Sequence, residues 1–275
     1  MAGEFELTRD GVTLSGEEAG EGPAVVLLHG LTAARRYVVM GSKRLERGGH
    51  RVVSYDARGH GRSSPAPAAD AYAYEDLAQD LGGVLDELGI ERAVLAGASM
   101  GAHTLLRFAL AHPERAAGLV VITPAYDGER AISDERLERW DRLADGLRRG
   151  GIDGFVEAYG DPQVDTPELA RTVITVIRQR LALHEHLDAL ADALTTVPRS
   201  RPFAAVEDLA AIDAPVAVVG SNDGADPEHP FAVAEAYADT IPGARLVRDP
   251  PGASPVAWQG SQLSQIIAEI ASQAG

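Results

Sequence analysis

Six short apolar runs recur along this chain of 275 residues: Ala24–Leu28, Arg51–Tyr55, Ala93–Ala96, Gly118–Ile122, Pro215–Val219 and Ala244–Val247. Runs this short and this continuous show no polar side to water. They suit strands buried on both faces, as in a parallel sheet. Helical patterns lie between most of them. Residues 75–89 place Leu77, Leu81, Val84, Leu85 and Leu88 on one stripe. Residues 101–111, which Pro113 helps to end, 230–240 and 258–272 repeat the pattern. Strands alternating with helices require right-handed crossovers, so the expected fold is α/β with a mostly parallel, doubly wound sheet. Ahead of it, residues 5–19 alternate around Asp10-Gly11, which predicts a hairpin with a tight turn.

One stretch interrupts the alternation. Residues 129–205 carry helical periodicity without a convincing strand, and are rich in Arg, Asp, Glu, Leu and Ala. We read them as a helical cap over one end of the sheet, which assigns the core to residues 1–128 and 206–275. A cap there shapes a pocket. Trp140, Phe155 and Tyr159 suit its apolar lining and equally suit plain core packing.

Composition narrows the function. The chain has no cysteine, which excludes disulfides, thiolate metal sites and cysteine nucleophiles. The net charge of −16 repels phosphate backbones, so no nucleic-acid partner is expected. No run approaches the roughly 20 apolar residues of a membrane span. The opening residues Met1–Glu6 lack a basic and apolar leader. The expected setting is cytoplasmic and the expected partner a small molecule, with no cofactor or metal.

Three motifs carry chemistry. Gly97-Ala98-Ser99-Met100-Gly101 follows a predicted strand and opens a predicted helix. A strained strand-to-helix turn lifts a serine hydroxyl above the sheet, and small flanking residues let the chain make it. His29-Gly30-Leu31 follows the first strong strand. Acyl transfer needs two backbone N–H groups aimed at a developing oxyanion. Met100, next to the serine, supplies one and Leu31 the other; the His29 side chain braces the loop. Asp56-Ala57-Arg58-Gly59-His60-Gly61-Arg62-Ser63 follows the second strong strand.

Together these motifs resemble the α/β-hydrolase superfamily, in its branch of small serine esterases, lactonases and peroxidases. The resemblance spans nearly the whole chain and implies an α/β-hydrolase fold with a helical cap at 129–205. It implies a structural role for the loop of His60. It also implies that Asp223, in Gly220-Ser221-Asn222-Asp223-Gly224-Ala225-Asp226-Pro227, orients a catalytic histidine. Asp226 and Asp127 are its rivals. A serine at the elbow separates the chain from branches with an aspartate there.

The sequence departs from the family at the histidine. Ala253, in Pro250-Pro251-Gly252-Ala253-Ser254-Pro255, stands where the resemblance places it, and no histidine follows His229. Three readings stay open: another histidine serves as base, a histidine has been changed to alanine at 253, or the pocket binds without turnover. His229 is the foremost candidate base. His103 is expected to pack on the sheet, while His184 and His186 sit in the cap, facing pocket or solvent. The expected activity is cleavage of a carboxylic ester, lactone or similar acyl compound through an acyl-enzyme on Ser99. The alternatives are a ligand-binding protein on this scaffold and, third, a perhydrolase or cofactor-free peroxidase.

Overall fold

A computed structural model describes residues 3–128, 133–162, 164, 166–222, 228–249 and 260–274. Its strands are β1 (Gly3–Arg9), β2 (Val12–Ala19), β3 (Ala24–Leu28), β4 (Arg51–Tyr55), β5 (Ala93–Ala98), β6 (Ala116–Ile122), β7 (Val216–Gly220) and β8 (Arg245–Arg248). Its helices are α1 (Arg44–Arg47), α2 (Tyr74–Glu87), α3 (Met100–Ala111), α4 (Asp134–Tyr159), α5 (Pro167–Leu181), α6 (Leu187–Thr196), α7 (Phe231–Thr240) and α8 (Gly260–Gln273).

The strands form one sheet in the order β1-β2-β4-β3-β5-β6-β7-β8. The expected hairpin is β1–β2, turning through Asp10 (φ 49°) and Gly11 (φ 80°). These successive left-handed residues match the right-handed twist of the paired strands. β2 runs antiparallel to β4, and every later pair is parallel. β7 opens at Val216 because Pro215 has no N–H to give the ladder; its carbonyl accepts from Leu119 N–H instead.

Five of the six apolar runs are buried on both faces, and the sixth, in the edge strand β8, is only half-buried. Val26, Leu28, Val53, Leu95 and Val121 pack with α2, α3 and α7 residues on one side. Val25, Leu27, Val52, Ala96 and Val120 pack with α1 and α8 residues on the other. Strand order reverses at β3: the chain passes from β3 to β4 on one side, then to β5 on the other. The loops leaving the carboxyl ends of β3 and β5 therefore diverge and open a crevice, the usual place for a ligand in such sheets.

Between β6 and β7 the chain builds α4, α5 and α6. α4 bends at Gly150 and Gly151, where Gly151 takes φ 57°, a conformation other residues adopt at a cost. The insertion has its own apolar centre of Leu143, Leu147, Phe155, Leu181, Leu190 and Leu194, continuous with Leu31, Met100 and Tyr74 of the sheet's end. Polar ties reinforce the contact. Glu185 N–H donates to Gly61 O at 2.9 Å, and Tyr74 N–H donates to Ser200 Oγ at 3.1 Å. No described helix is long and apolar enough to cross a membrane.

Candidate active site

Ser99 sits at the carboxyl end of β5 with φ 50° and ψ −109°, outside the relaxed regions for a residue with a side chain. Such strain costs about 1–3 kcal/mol and persists only where neighbours enforce it. Two hydrogen bonds hold the turn: Ser99 N–H to Ile122 O at 2.9 Å, and His103 N–H to Ser99 O at 3.1 Å. The flanking glycines are required by close approach. A Cβ on Gly97 would lie 2.4 Å from the Gly101 carbonyl, and one on Gly101 would lie 2.2 Å from Leu28 O. Leu28 belongs to the buried strand β3 and cannot yield. Gly101→Ala is therefore expected to destabilise the fold by at least about 2 kcal/mol, as overpacking against backbone does. Chemical denaturation checks this; an unchanged midpoint would contradict the packing argument.

Beside this turn runs the loop of His29, Gly30 and Leu31, because Leu28 and Gly97 are partners across the β3–β5 ladder. Met100 N–H lies in the first turn of α3, where the helix dipole is positive and intrahelical acceptors are lacking. Leu31 and Met100 both line the cavity above Ser99.

The Asp56–Ser63 stretch is the scaffold of that loop. Asp56 pairs with Arg35 at 2.6 Å and accepts Arg35 N–H at 2.8 Å. Arg58 forks onto Asp80 through two contacts of 2.8 Å. His29 Nδ1–H donates to Gly30 O and its Nε2 accepts from Ala57 N–H, both at 2.9 Å. His60 places Nε2 2.8 Å from Leu31 O. His60 also places Nδ1 2.8 Å from Arg58 O, so its ring is held between two carbonyls. Burial lowers the pKa of both imidazoles, and His29, with one nitrogen donating and the other accepting, acts as a neutral spacer.

His229 occupies the turn just before α7, and its Nε2 lies 2.8 Å from Ser99 Oγ. The two residues are 130 positions apart in sequence. Asp223, its rival Asp226 and Ala253 all lie outside the described residues. Asp127 follows β6 and is not among the cavity-lining residues.

The other histidines correct two expectations. His103 does not pack flat on the sheet but lines the cavity. Its Nε2 accepts from Ala125 N–H at 3.1 Å and Tyr126 N–H at 3.2 Å, leaving Nδ1–H to donate to Tyr74 Oη at 3.1 Å. Burial lowers its pKa to about 3, so it pins the segment after β6 as a neutral ring. His184 faces neither pocket nor solvent. Its Nδ1 accepts Gly61 N–H at 2.9 Å, tying insertion to core. His186 stands at the start of α6 and does not line the cavity.

The cavity over Ser99 holds about 300 Å³. Leu143, Phe155, Val173 and Ile177 make its apolar wall, and Trp140 and Tyr159 line it as well. Three charged residues that the sequence did not single out stand beside His229. Glu228 meets Arg136 Nε at 3.1 Å and Arg139 Nη1 at 2.5 Å. Asp249, at the end of β8 and likewise not singled out by the sequence, is buried and accepts from Ser221 Oγ at 3.2 Å and Asn222 N–H at 3.0 Å. The only local hint of Asp249 was a carboxylate placed directly after a strand.

Known proteins share this architecture. The family profile for the alpha/beta hydrolase fold matches residues 23–158. A 2-hydroxy-6-oxononadienedioate/2-hydroxy-6-oxononatrienedioate hydrolase from Pseudomonas putida is 34% identical over 230 residues, which are 80% of this chain and 79% of that one. Among solved structures, a thermophilic esterase from Thermogutta terrifontis, with malate bound, superimposes with a TM-score of 0.79 at 27% identity, covering 99% of both chains. A hydrolase from Pseudomonas aeruginosa PA01 gives 0.72 at 25% identity, over 98% of this chain and 97% of that one. The chain belongs to the α/β-hydrolase family, and its relatives there include hydrolases.

Proposed function

We propose that the protein is a serine hydrolase that cleaves a carboxylic ester, lactone or similar acyl compound through an acyl-enzyme. The observation that carries this reading is the 2.8 Å contact between His229 Nε2 and Ser99 Oγ on a strained elbow. In the first step His229 Nε2 takes the hydroxyl proton as Ser99 Oγ attacks the acyl carbon. The tetrahedral oxyanion accepts hydrogen bonds from the N–H groups of Leu31 and Met100. The imidazolium then protonates the leaving alcohol, and the acyl-enzyme forms. A water, deprotonated by the same imidazole, releases the acid. Asp223 is the carboxylate we assign to orienting His229. The helical insertion serves as the cap, and its apolar wall would seat the acyl or alkyl part of a substrate that fits about 300 Å³.

A fluorophosphonate probe tests the reading, since it traps only an activated serine. Wild-type protein is expected to label at Ser99 and to turn over short p-nitrophenyl esters, and Ser99→Ala to do neither. Equal, slow labelling of both proteins would overturn the assignment. Thermal stabilisation by small acyl ligands without turnover would then favour a binding role.

A further inference from the structure

His229 does not stand on the loop after the last strand, where the family keeps its histidine, and its neighbourhood differs accordingly. The preceding residue, Glu228, points into the helical insertion. Its two carboxylate oxygens divide between two guanidinium groups one turn apart on α4: Oε2 meets Arg136 Nε at 3.1 Å and Oε1 meets Arg139 Nη1 at 2.5 Å. The arginines are themselves braced. The Arg136 guanidinium lies 5.9 Å from the Trp140 ring and that of Arg139 lies 5.6 Å from the Tyr159 ring. The Glu228 side chain is 19% exposed, so the pairing is shielded from solvent far better than a surface salt bridge. The start of the same segment is anchored elsewhere, where Asn222 N–H donates to Asp249 of the sheet.

We propose that Glu228 is a positioning residue: its clasp with Arg136 and Arg139 fastens the segment bearing His229 to the cap and sets Nε2 against Ser99 Oγ. The proposal rests on the reading of His229 as the base. Its chemistry is geometric. Proton transfer needs Nε2 within hydrogen-bond reach of Oγ, and a misplacement of about 1 Å can cost on the order of 100-fold in rate. Here the cap closes the circuit, so the segment that roofs the substrate also completes the machinery beneath it.

The test compares wild type, Glu228→Gln and Glu228→Ala by fluorophosphonate labelling and by kcat and KM on a p-nitrophenyl ester. Glu228→Ala is expected to lower both the labelling rate and kcat by about 10- to 100-fold with KM changed less than about 3-fold. The near-isosteric Glu228→Gln guards against loss of folding and is expected to lose less, since its amide oxygen still accepts from one arginine. The decisive arm is the same pair of substitutions made in a His229→Ala background. A residue that acts through His229 is expected to have no further effect there, whereas a merely structural role would lower the residual rate again. Wild-type labelling and kcat in Glu228→Ala, or an equal loss in both backgrounds, would overturn the proposal. Those outcomes leave the serine-hydrolase reading intact, which fails only if wild type labels no faster than Ser99→Ala.

Discussion

Replacing His229 with alanine is expected to lower kcat on an activated ester by on the order of 10,000-fold while KM moves little. The magnitude follows from what the imidazole would do. A serine hydroxyl at neutral pH is a weak nucleophile unless its proton has somewhere to go, and His229 Nε2 is the acceptor 2.8 Å from Oγ. The loss should stop short of the uncatalysed rate, because the N–H groups of Leu31 and Met100 would still stabilise an oxyanion. KM should hold because the cavity wall of Leu143, Phe155, Val173 and Ile177 is untouched. His103 cannot substitute: both ring nitrogens are already engaged, with Tyr74 and with the N–H groups of Ala125 and Tyr126. Steady-state kinetics with both parameters reported decides the matter. If His229→Ala kept its activity, and Ala253→His raised it by orders of magnitude, the base would belong to the family's usual position and His229 would be a bystander.

How far the sequence reached depends on how local each constraint is. The elbow was legible because three positions are dictated by one turn: Gly97 and Gly101 leave no room for a Cβ, and Ser99 must accept positive φ. The sheet was legible because strands buried on both faces read as short, nearly continuous apolar runs. His29 could be read as a brace because it follows a strand whose end is fixed, whereas the structural role of the His60 loop came from the family resemblance alone. His229 was reached from its place just after the Asp223 loop, at the end of the sheet where the site should lie; no pattern around it distinguishes a base from any other histidine before a helix. Glu228, Arg136 and Arg139 were not legible. Arginines three apart on a polar 26-residue helix look like a solvated face, and their partner lies 92 and 89 positions away. His184 was misread for the same reason. Its partner, Gly61 N–H, is 123 positions distant, so facing pocket or solvent looked like the full choice.

Acid is expected to destabilise this protein through its buried histidines. His29, His60, His103 and His184 all have pKa values lowered by burial, to about 3 for His103 and about 4 for His184. In the unfolded chain each returns to its ordinary value near 6.5. Above that pH neither state is protonated and the full stability is present. As pH falls below it, the unfolded state takes up protons that the native state refuses, so stability declines until the folded pKa is reached. At pH 4 the penalty is about 3 kcal/mol each for His103 and His184, at 1.36 kcal/mol per pH unit. Together they consume a large part of the roughly 5–15 kcal/mol that holds a typical domain. Urea unfolding measured from pH 7 to pH 4 should show the midpoint falling steadily. His184→Gln, whose amide can still accept the Gly61 N–H, should flatten the slope by about one proton. A flat profile between pH 7 and pH 5, or an unchanged slope in His184→Gln, would mean that these rings take up protons in the folded state. The tie between insertion and core would then have to accommodate a charge that Gly61 N–H, a donor, can only repel.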